Sequence, residues 1–454
     1  MKSNIFLASS ISEIPRLLGQ LNRNSSSKSY GSFDRAYWHY RTNDISCARY
    51  QEAVYTLGLL YVHDFEGNNF FRSQLIAEWI NAALQFTCSI QRPDGSFDEW
   101  YVNEGSFVCT AFVTNAIAET YLSIGAEEIY DEGQVRQMLI NAARWLSRNT
   151  DYHALNQTAG AISALQKVHR ITGIEEFSLT AKDRLSTFLG LQKPEGWWSE
   201  YGGPDIGYLS LTVDYLSRLG VDTEDDGNAI NQAIENASGF LKCFIHPDLS
   251  AGGEYMSRNT EYLIPSGFVR SAPRSNSAAE VAALAAEALR AGQGVLPRTL
   301  DDRYLCYILY NWLEAGLSDI ELLRKPAKSR FEKTFDEAGI YVRRSENHYV
   351  VVNLRKGGAF RIHQKCGVAF DSGCEFLFHG KQFTTGSLSH ENRIDMAKGQ
   401  LSVAGSASAI SEPLLTTWRK AALICLQATI GYIPFLRRTL KNTLRRISIT
   451  YGGD

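Results

Sequence analysis

Helical segments separated by polar-aromatic loops recur about every 50 residues through the first two thirds of the chain, and this recurrence restricts the fold most. The loops centre near Asn43, Gly95, Asp151, Gly196, Gly253 and Arg303, at intervals of 52, 56, 45, 57 and 50 residues. Segments 71–90, 107–124, 134–147, 157–172, 179–191, 207–219, 229–243, 277–291 and 303–316 place apolar residues at i, i+3, i+4 and i+7, the spacing of one helix face. About fifty residues hold two helices of four to five turns with their connections. Six antiparallel pairs with their long loops at one end predict a closed (α/α)6-type toroid over residues 1–325, its inner helices lining a cup. An open solenoid would call for polar capping repeats, which these units do not show.

The texture changes near Lys325. GIYVRR (339–344), HYVVVNL (348–354), GAFRIH (358–363) and EFLFH (375–379) are rich in β-branched and aromatic residues between glycine-containing breaks, which predicts a β domain over 326–411. From Glu412 the sequence becomes basic and amphipathic. Between Pro413 and Asp454 it carries seven Lys or Arg and one acid, a net +6, so the rest of the chain carries −9 of the overall −3. Residues 412–454 are expected to form a helical tail, broken near Gly431 and Pro434, that packs on the core, docks a partner or lies on an anionic membrane.

The overall charge argues against general nucleic-acid binding. The eight cysteines lack zinc-type spacing and mostly sit in apolar runs, as buried thiols of a reducing compartment do. Glu13 and Pro15 interrupt any signal-peptide core, and no apolar run reaches about 18 residues. A cytoplasmic protein able to associate with a membrane through its tail is the expectation. His63, His169, His246, His348, His379 and His390 are not grouped at ligand spacing, so neither metal nor cofactor is expected.

Three loops carry the chemistry: QRPDGSFDEWYVNE (91–104), QKPEGWWSEYGGPDIGY (192–208) and GGEYMSRNTEY (252–262). Tyr and Trp stack on the apolar faces of pyranoses, and acids, amides and Arg bond their hydroxyls. A carbohydrate cleft is therefore expected from Trp100, Tyr101, Glu104, Trp197, Trp198, Glu200, Asp205, Glu254, Tyr255, Arg258 and Asn259, with a polysaccharide or oligosaccharide as partner. Trp38, His39 and Tyr40, with Arg41 and Asn43, form a further rim candidate. Asp94-Gly95 is turn chemistry.

The pattern Q-x3-G-x-[FW], at Gln91/Gly95/Phe97 and Gln192/Gly196/Trp198, in a toroid followed by a β domain resembles the heparinase II/III-type polysaccharide lyases. The resemblance implies β-elimination on a uronate-containing polysaccharide. An Asn/His pair would neutralise the uronate carboxylate, and a Tyr would remove the C5 proton or protonate the leaving oxygen. His153 and Asn156 match the pair, Tyr208 the tyrosine, with Tyr201 a second candidate. Arg258 could pair a carboxylate bidentately. Tyrosine suits proton removal only if a cation or hydrogen bond lowers its pKa from about 10. The family's His-rich motif is missing: LRKGGAFRIHQKCG offers only His363. The roughly 85-residue β region is also shorter than the family's, so an incomplete β-sandwich is expected.

Two other functions compete. A non-catalytic glycan-binding or assembly protein of a polysaccharide pathway fits the missing motif and the basic tail. A terpenoid cyclase, whose toroid has similar Gln–Gly–Trp loops, would need an acid motif. DTEDDG (222–227) reads instead as the acidic start of a helix.

Overall fold

The computed structural model describes residues 4–125, 129–220, 224–318, 330–397, 400–410, 416–429 and 436. The helices are α1 (Ile5–Ile11), α2 (Ile14–Gln20), α3 (Arg35–Trp38), α4 (Ala53–Val62), α5 (Gln74–Ser89), α6 (Phe107–Ile124) and α7 (Glu132–Arg148). They continue with α8 (Leu155–Thr172), α9 (Glu175–Gly190), α10 (Ile206–Ser217), α11 (Glu224–Leu241), α12 (Ser266–Ser271), α13 (Asn276–Ala291), α14 (Asp302–Leu317) and, after the strands, α15 (Thr417–Thr429).

The even-numbered helices α4, α6, α8, α10, α12 and α14 contact one another in that order, and α14 returns to α4. This closed inner ring is the toroid. Each inner helix packs on an outer partner: α4 on α5, α6 on α7, α8 on α9, α10 on α11 and α12 on α13, while α14 takes α1 from the start of the chain. The sixth unit is thus split between the two ends of the toroid sequence. Two inner helices escape a periodicity reading for physical reasons. In α4, nine of the ten residues, Ala53 to Tyr61, are buried, so no polar face marks its period. Only six residues long, α12 crosses α10 so closely that a Cβ on Gly267 would lie 2.5 Å from the Asp214 Cα.

Charged residues plug the toroid where the inner helices end. Asp214, fully buried, accepts hydrogen bonds from Arg218 (2.8 Å) and Asn311 (3.2 Å). Arg218 also reaches Glu119 at 2.9 Å and pairs with Glu314, while Lys167 meets Glu119 at 3.2 Å. Burial raises a carboxyl pKa, but Lys167 and Arg218 outweigh it and hold Glu119 down at about 2. Cations near helix C-termini also suit the local dipoles.

The β region has a five-stranded antiparallel sheet: β1 (Phe331–Phe335), β2 (Ile340–Arg344), β3 (His348–Asn353), β4 (Ala359–Gln364) and β5 (Gly367–Asp371), in sequential order. Smaller sheets follow. Strands β6 (Glu375–Phe378), β7 (Lys381–Thr384) and β10 (Ser408–Ala409) form one, and β8 (Arg393–Ala397) and β9 (Gln400–Ala404) pair as the other. Alternate residues of β2 and β3, including Ile340, Val342, Tyr349 and Val351, are buried, whereas every residue of β5 is exposed. The large sheet shares one core with the toroid: Phe335 lies 4.8 Å from Phe240 and 5.5 Å from Phe244, ring to ring. The expected boundary at Lys325, and all of the basic tail except Thr416–Thr429 and Leu436, fall outside the described residues. So does part of DTEDDG, though Glu224, Asp225 and Asp226 form the first turn of α11.

Candidate functional site

The rim of the toroid is built by a repeated latch. The Gln91 side chain donates to Gly95 O (3.1 Å) and to Met138 O of α7 (2.9 Å). Gln192 does the same to Gly196 O (3.0 Å) and Ala233 O of α11 (2.9 Å). Gly95 and Gly196 have φ of +93° and +103°, and a Cβ on either would lie 2.3 Å from the carbonyl oxygen of Asn141 or Asn236. Glycine is required both by conformation and by space. Gln51 is a third instance, donating to Gly31 O and Ala83 O; its glycine lies 20 residues upstream, which hides the pattern in sequence. The residues that carry the family resemblance therefore fasten loops to neighbouring outer helices.

The latched loops share one end of the toroid. Ala48 N–H donates to Asp98 O, Tyr201 N–H to His153 O, and Ser257 N–H to Pro204 O. The Asp205 carboxylate caps α10 at Tyr208 N–H (3.2 Å) and also accepts from Arg258 N–H (3.1 Å) and Thr260 N–H (3.3 Å). Arg303, in the first turn of α14, donates to Glu99 (3.0 Å) and to the Tyr307 hydroxyl (2.6 Å), and its guanidinium lies 3.9 Å from the Trp100 ring centre. The three aromatic loops thus stand at the same end of the toroid, the second and third in direct contact. The N-termini of the inner helices lie here too, and their dipoles favour a negative ligand.

Several predicted contact residues are structural. Trp197 and Trp198 are 2% and 1% exposed; Trp198 stacks on Phe188 at 4.9 Å and donates to Phe188 O, so it anchors its loop in the core. Tyr255, fully buried, hydrogen-bonds His246 at 2.8 Å. The buried Glu104 carboxylate accepts from Glu99 and Trp100 N–H, and Asp205 is the buried cap just described. Glu254 is turned to the β domain and gripped by Arg361. Asn259 accepts from Lys356 at 2.5 Å. What spacing could not reveal is that burial, or a partner within the chain, claims these groups first.

The remaining candidates stand at the rim. Trp100 is 63% exposed beneath Arg303, and Tyr101 is half-buried. Tyr201, with φ +56°, is half-buried and carries the Arg258 guanidinium 4.6 Å from its ring centre. Arg258 also stands near the Tyr208 hydroxyl and favours its charged form. Burial raises the Tyr208 pKa to about 12 despite that cation, so at neutral pH the phenol holds its proton. The fully buried Glu200 accepts from Asn156 N–H (2.8 Å) and the Asn156 amide (2.9 Å); burial raises its pKa well above the usual carboxylate range. Asn156 is therefore engaged by Glu200 rather than free to meet a ligand. His153 is exposed. Of the Trp38–Asn43 group, Trp38 donates to Gln20 O, while Tyr40 is 61% exposed.

An aromatic band missed by the sequence reading extends this rim. Tyr262 lies 5.4 Å from Tyr304, Tyr304 5.9 Å from Tyr307, and Tyr307 5.7 Å from Tyr50, between ring centres. Beneath it, Arg49 stacks on Tyr307 at 4.0 Å and donates to Glu52, whose pKa burial lifts to about 7. The i, i+3 spacing of Tyr304 and Tyr307 on α14 was the available signal, masked by the usual reading of such spacing as core.

The β domain holds the third loop. Lys356, 6% exposed, donates to Glu254 O (2.8 Å), Met256 O (2.7 Å) and the Asn259 side chain. Arg361 pairs with Glu254 (2.6 Å) and Glu261 (2.8 Å), and Asn353 donates to Tyr255 O (2.7 Å). Arg258 thus owes its position to toroid and β domain together. Beside the rim an open cavity of about 1250 Å³ runs between residues 190–202 and the β domain, with Tyr152, Lys193, Arg355 and His390 in its wall.

His246, Asp248 and His363 do group, contrary to the sequence expectation, with potential ligand atoms within 4.8 Å of one another. Folding brings them together across more than a hundred residues, which spacing cannot show. They are the described residues best placed to hold a metal ion. Both His246 ring nitrogens are already hydrogen-bonded, to Ser250 and Tyr255 at 2.7 and 2.8 Å, and Arg361 and Arg344 act on the same ring. Engaged nitrogens and neighbouring guanidinium charge both oppose a cation there.

No family model and no curated protein matches the chain. Among solved structures it is similar to xanthan lyase of Paenibacillus, with a TM-score of 0.53 and 10% identity, over 84% of this chain and 44% of that one. Chondroitin AC lyase of Streptomyces coelicolor A3 gives 0.47 and 12%, over 79% and 54%. A GH127 β-L-arabinofuranosidase from Geobacillus stearothermophilus T6 gives 0.38 and 12%, over 82% and 71%. The chain spans about half the length of the two lyases. The likeness to xanthan lyase is one of fold: a helical toroid followed by β structure.

Proposed function

We propose that the protein is a glycan-processing enzyme acting on an acidic polysaccharide by β-elimination, with the substrate lying across the loop end of the toroid. The observation that carries this reading is the Arg258–Tyr208 pair, at the start of α10 with Tyr201 against Arg258, while Trp100 and Arg303 stand elsewhere on the same rim. Arg258 would bind a uronate carboxylate, and the two exposed or half-exposed rings would stack on sugars. The adjoining cavity of about 1250 Å³ has room for several sugar rings.

The protonation state assigns the roles. A tyrosine with its pKa raised to about 12 is a resting proton donor, suited to protonating the leaving glycosidic oxygen. Charge developing on the uronate carboxylate falls to Arg258, with helix N-termini adding to it; one positioned donor is commonly worth roughly 10²–10³ in rate. His153, which the resemblance pairs with Asn156 on the carboxylate, is exposed and would take the C5 proton instead.

The Tyr208→Phe variant tests the reading. It should abolish the ultraviolet absorbance of unsaturated uronate ends while leaving glycan binding nearly unchanged; undiminished turnover would exclude Tyr208. A second reading, non-catalytic glycan binding, draws on the mutual engagement of Asn156 and Glu200. Tight binding of uronate polymers by the wild type with no absorbance change would favour it.

A further inference from the structure

Helix α15 lies against the rim by one side only. Leu423, Leu426 and Gln427 face the protein; Gln427 is 5% exposed and its carbonyl accepts from the Asn103 amide at 3.3 Å. The opposite side has no cover among the described residues. Trp418 is 85% exposed and Ile424 40%, and Ala421, Ala422 and Cys425 are exposed with them. Trp418, Ala421, Ala422 and Cys425 follow i, i+3, i+4 and i+7, one stripe of the helix. Arg419 and Lys420 flank it, both exposed.

We propose that this face of α15 is a binding surface for an anionic lipid bilayer. A second protein would be expected to meet a broader apolar patch, whereas a single tryptophan stripe bordered by cations matches the depth and charge of a headgroup region. Charge supports the same occupant: the segment from Pro413 onward carries net +6, against −9 for the rest, and two of its cations, Arg419 and Lys420, stand on α15 itself beside the stripe. Among the described residues one helix, α6, is long and apolar enough to span a membrane, but it is an inner helix of the toroid. Contact is therefore at the surface. Because α15 is seated on Asn103, beside Trp100, the bound protein presents the rim of its cup toward the lipid.

Flotation of the whole protein with phosphatidylcholine vesicles, with and without about one-quarter phosphatidylglycerol, tests this. The wild type should float with the anionic vesicles, fail to float with the neutral ones, and dissociate as salt is raised. Each neutralised cation near the surface is worth about 1 kcal/mol, so Arg419→Ala and Lys420→Ala should each weaken binding about fivefold. Trp418→Ser should weaken it at least as much. All three residues are exposed, so melting temperatures should stay unchanged and a folding defect would be recognised. Equal flotation with neutral vesicles, no flotation at all, or three variants that bind like the wild type would each overturn the proposal. The outcome is independent of whether the cup cleaves glycan.

Discussion

Replacing Lys356 by methionine tests whether the β domain sets the geometry of the cup. The side chain keeps its length but loses an ammonium whose three donors are all used, on Glu254 O, Met256 O and Asn259 Oδ1. Dehydration lowers the Lys356 pKa from 10.5 to about 8, outweighing the pull of Asp205 and Glu254. At pH 7 the variant escapes that dehydration cost but leaves three acceptors unmet, of which the Met256 carbonyl is buried. Unmet buried acceptors cost about 1–3 kcal/mol each, offset by the relief, so a net loss of about 1–3 kcal/mol is expected.

The pH dependence is the sharper signature. A lysine with a lowered folded pKa binds fewer protons in the native than in the unfolded chain between about pH 8 and 10.5, so its contribution to stability rises with pH across that window. From pH 7 to 9, a folded value near 8 against 10.5 integrates to about 1 kcal/mol. The gap between wild type and Lys356→Met should therefore widen by that amount, read from urea midpoints at pH 7, 8 and 9. Trypsin should also cut after Arg258 several-fold faster in the variant. Parallel pH curves together with unchanged cleavage at Arg258 would refute the latch.

Two further predictions concern the toroid itself. Arg218→Met removes a cation shared by Asp214, Glu119 and Glu314; stripping a buried network of one partner costs about 3–5 kcal/mol, measurable as a lowered urea midpoint, and a loss below about 1 kcal/mol would mean water already reaches the plug. Gly196→Ala meets both a positive φ and the Asn236 carbonyl, so a loss of more than about 1 kcal/mol is expected, whereas Gly125→Ala, with open space around its Cβ, should lose only the conformational part.

The architecture was legible where helices have two unlike faces. A stripe such as that of α7, with Val135, Met138, Leu139, Ala142 and Leu146 buried, announces itself by period. An inner helix such as α4 does not, because neighbours surround it. The closing contact of α14 with α1 joins residues some 300 apart, and no local pattern encodes it. The candidate site was half legible for a related reason. Aromatic loops with acids were recognised, but sequence alone does not separate a tryptophan that anchors a loop, as Trp198 does on Phe188, from one that meets solvent, as Trp100 does.

That sorting by burial also explains why acids are so abundant in these loops. Asp205 spends its oxygens on three backbone N–H groups and Thr260, Glu104 on two N–H groups, and Glu200 on Asn156. Long irregular loops expose donors that regular structure would have paired, and a buried carboxylate can satisfy several at once. The consequence for the site is electrostatic. With these acids turned inward, the rim beside Tyr208 keeps Arg258 next to the N-terminus of α10, and under the proposed function this is where an acidic sugar would enter. Were the carboxylates of Asp205 and Glu200 turned outward instead, they would repel the acidic ligand proposed for Arg258.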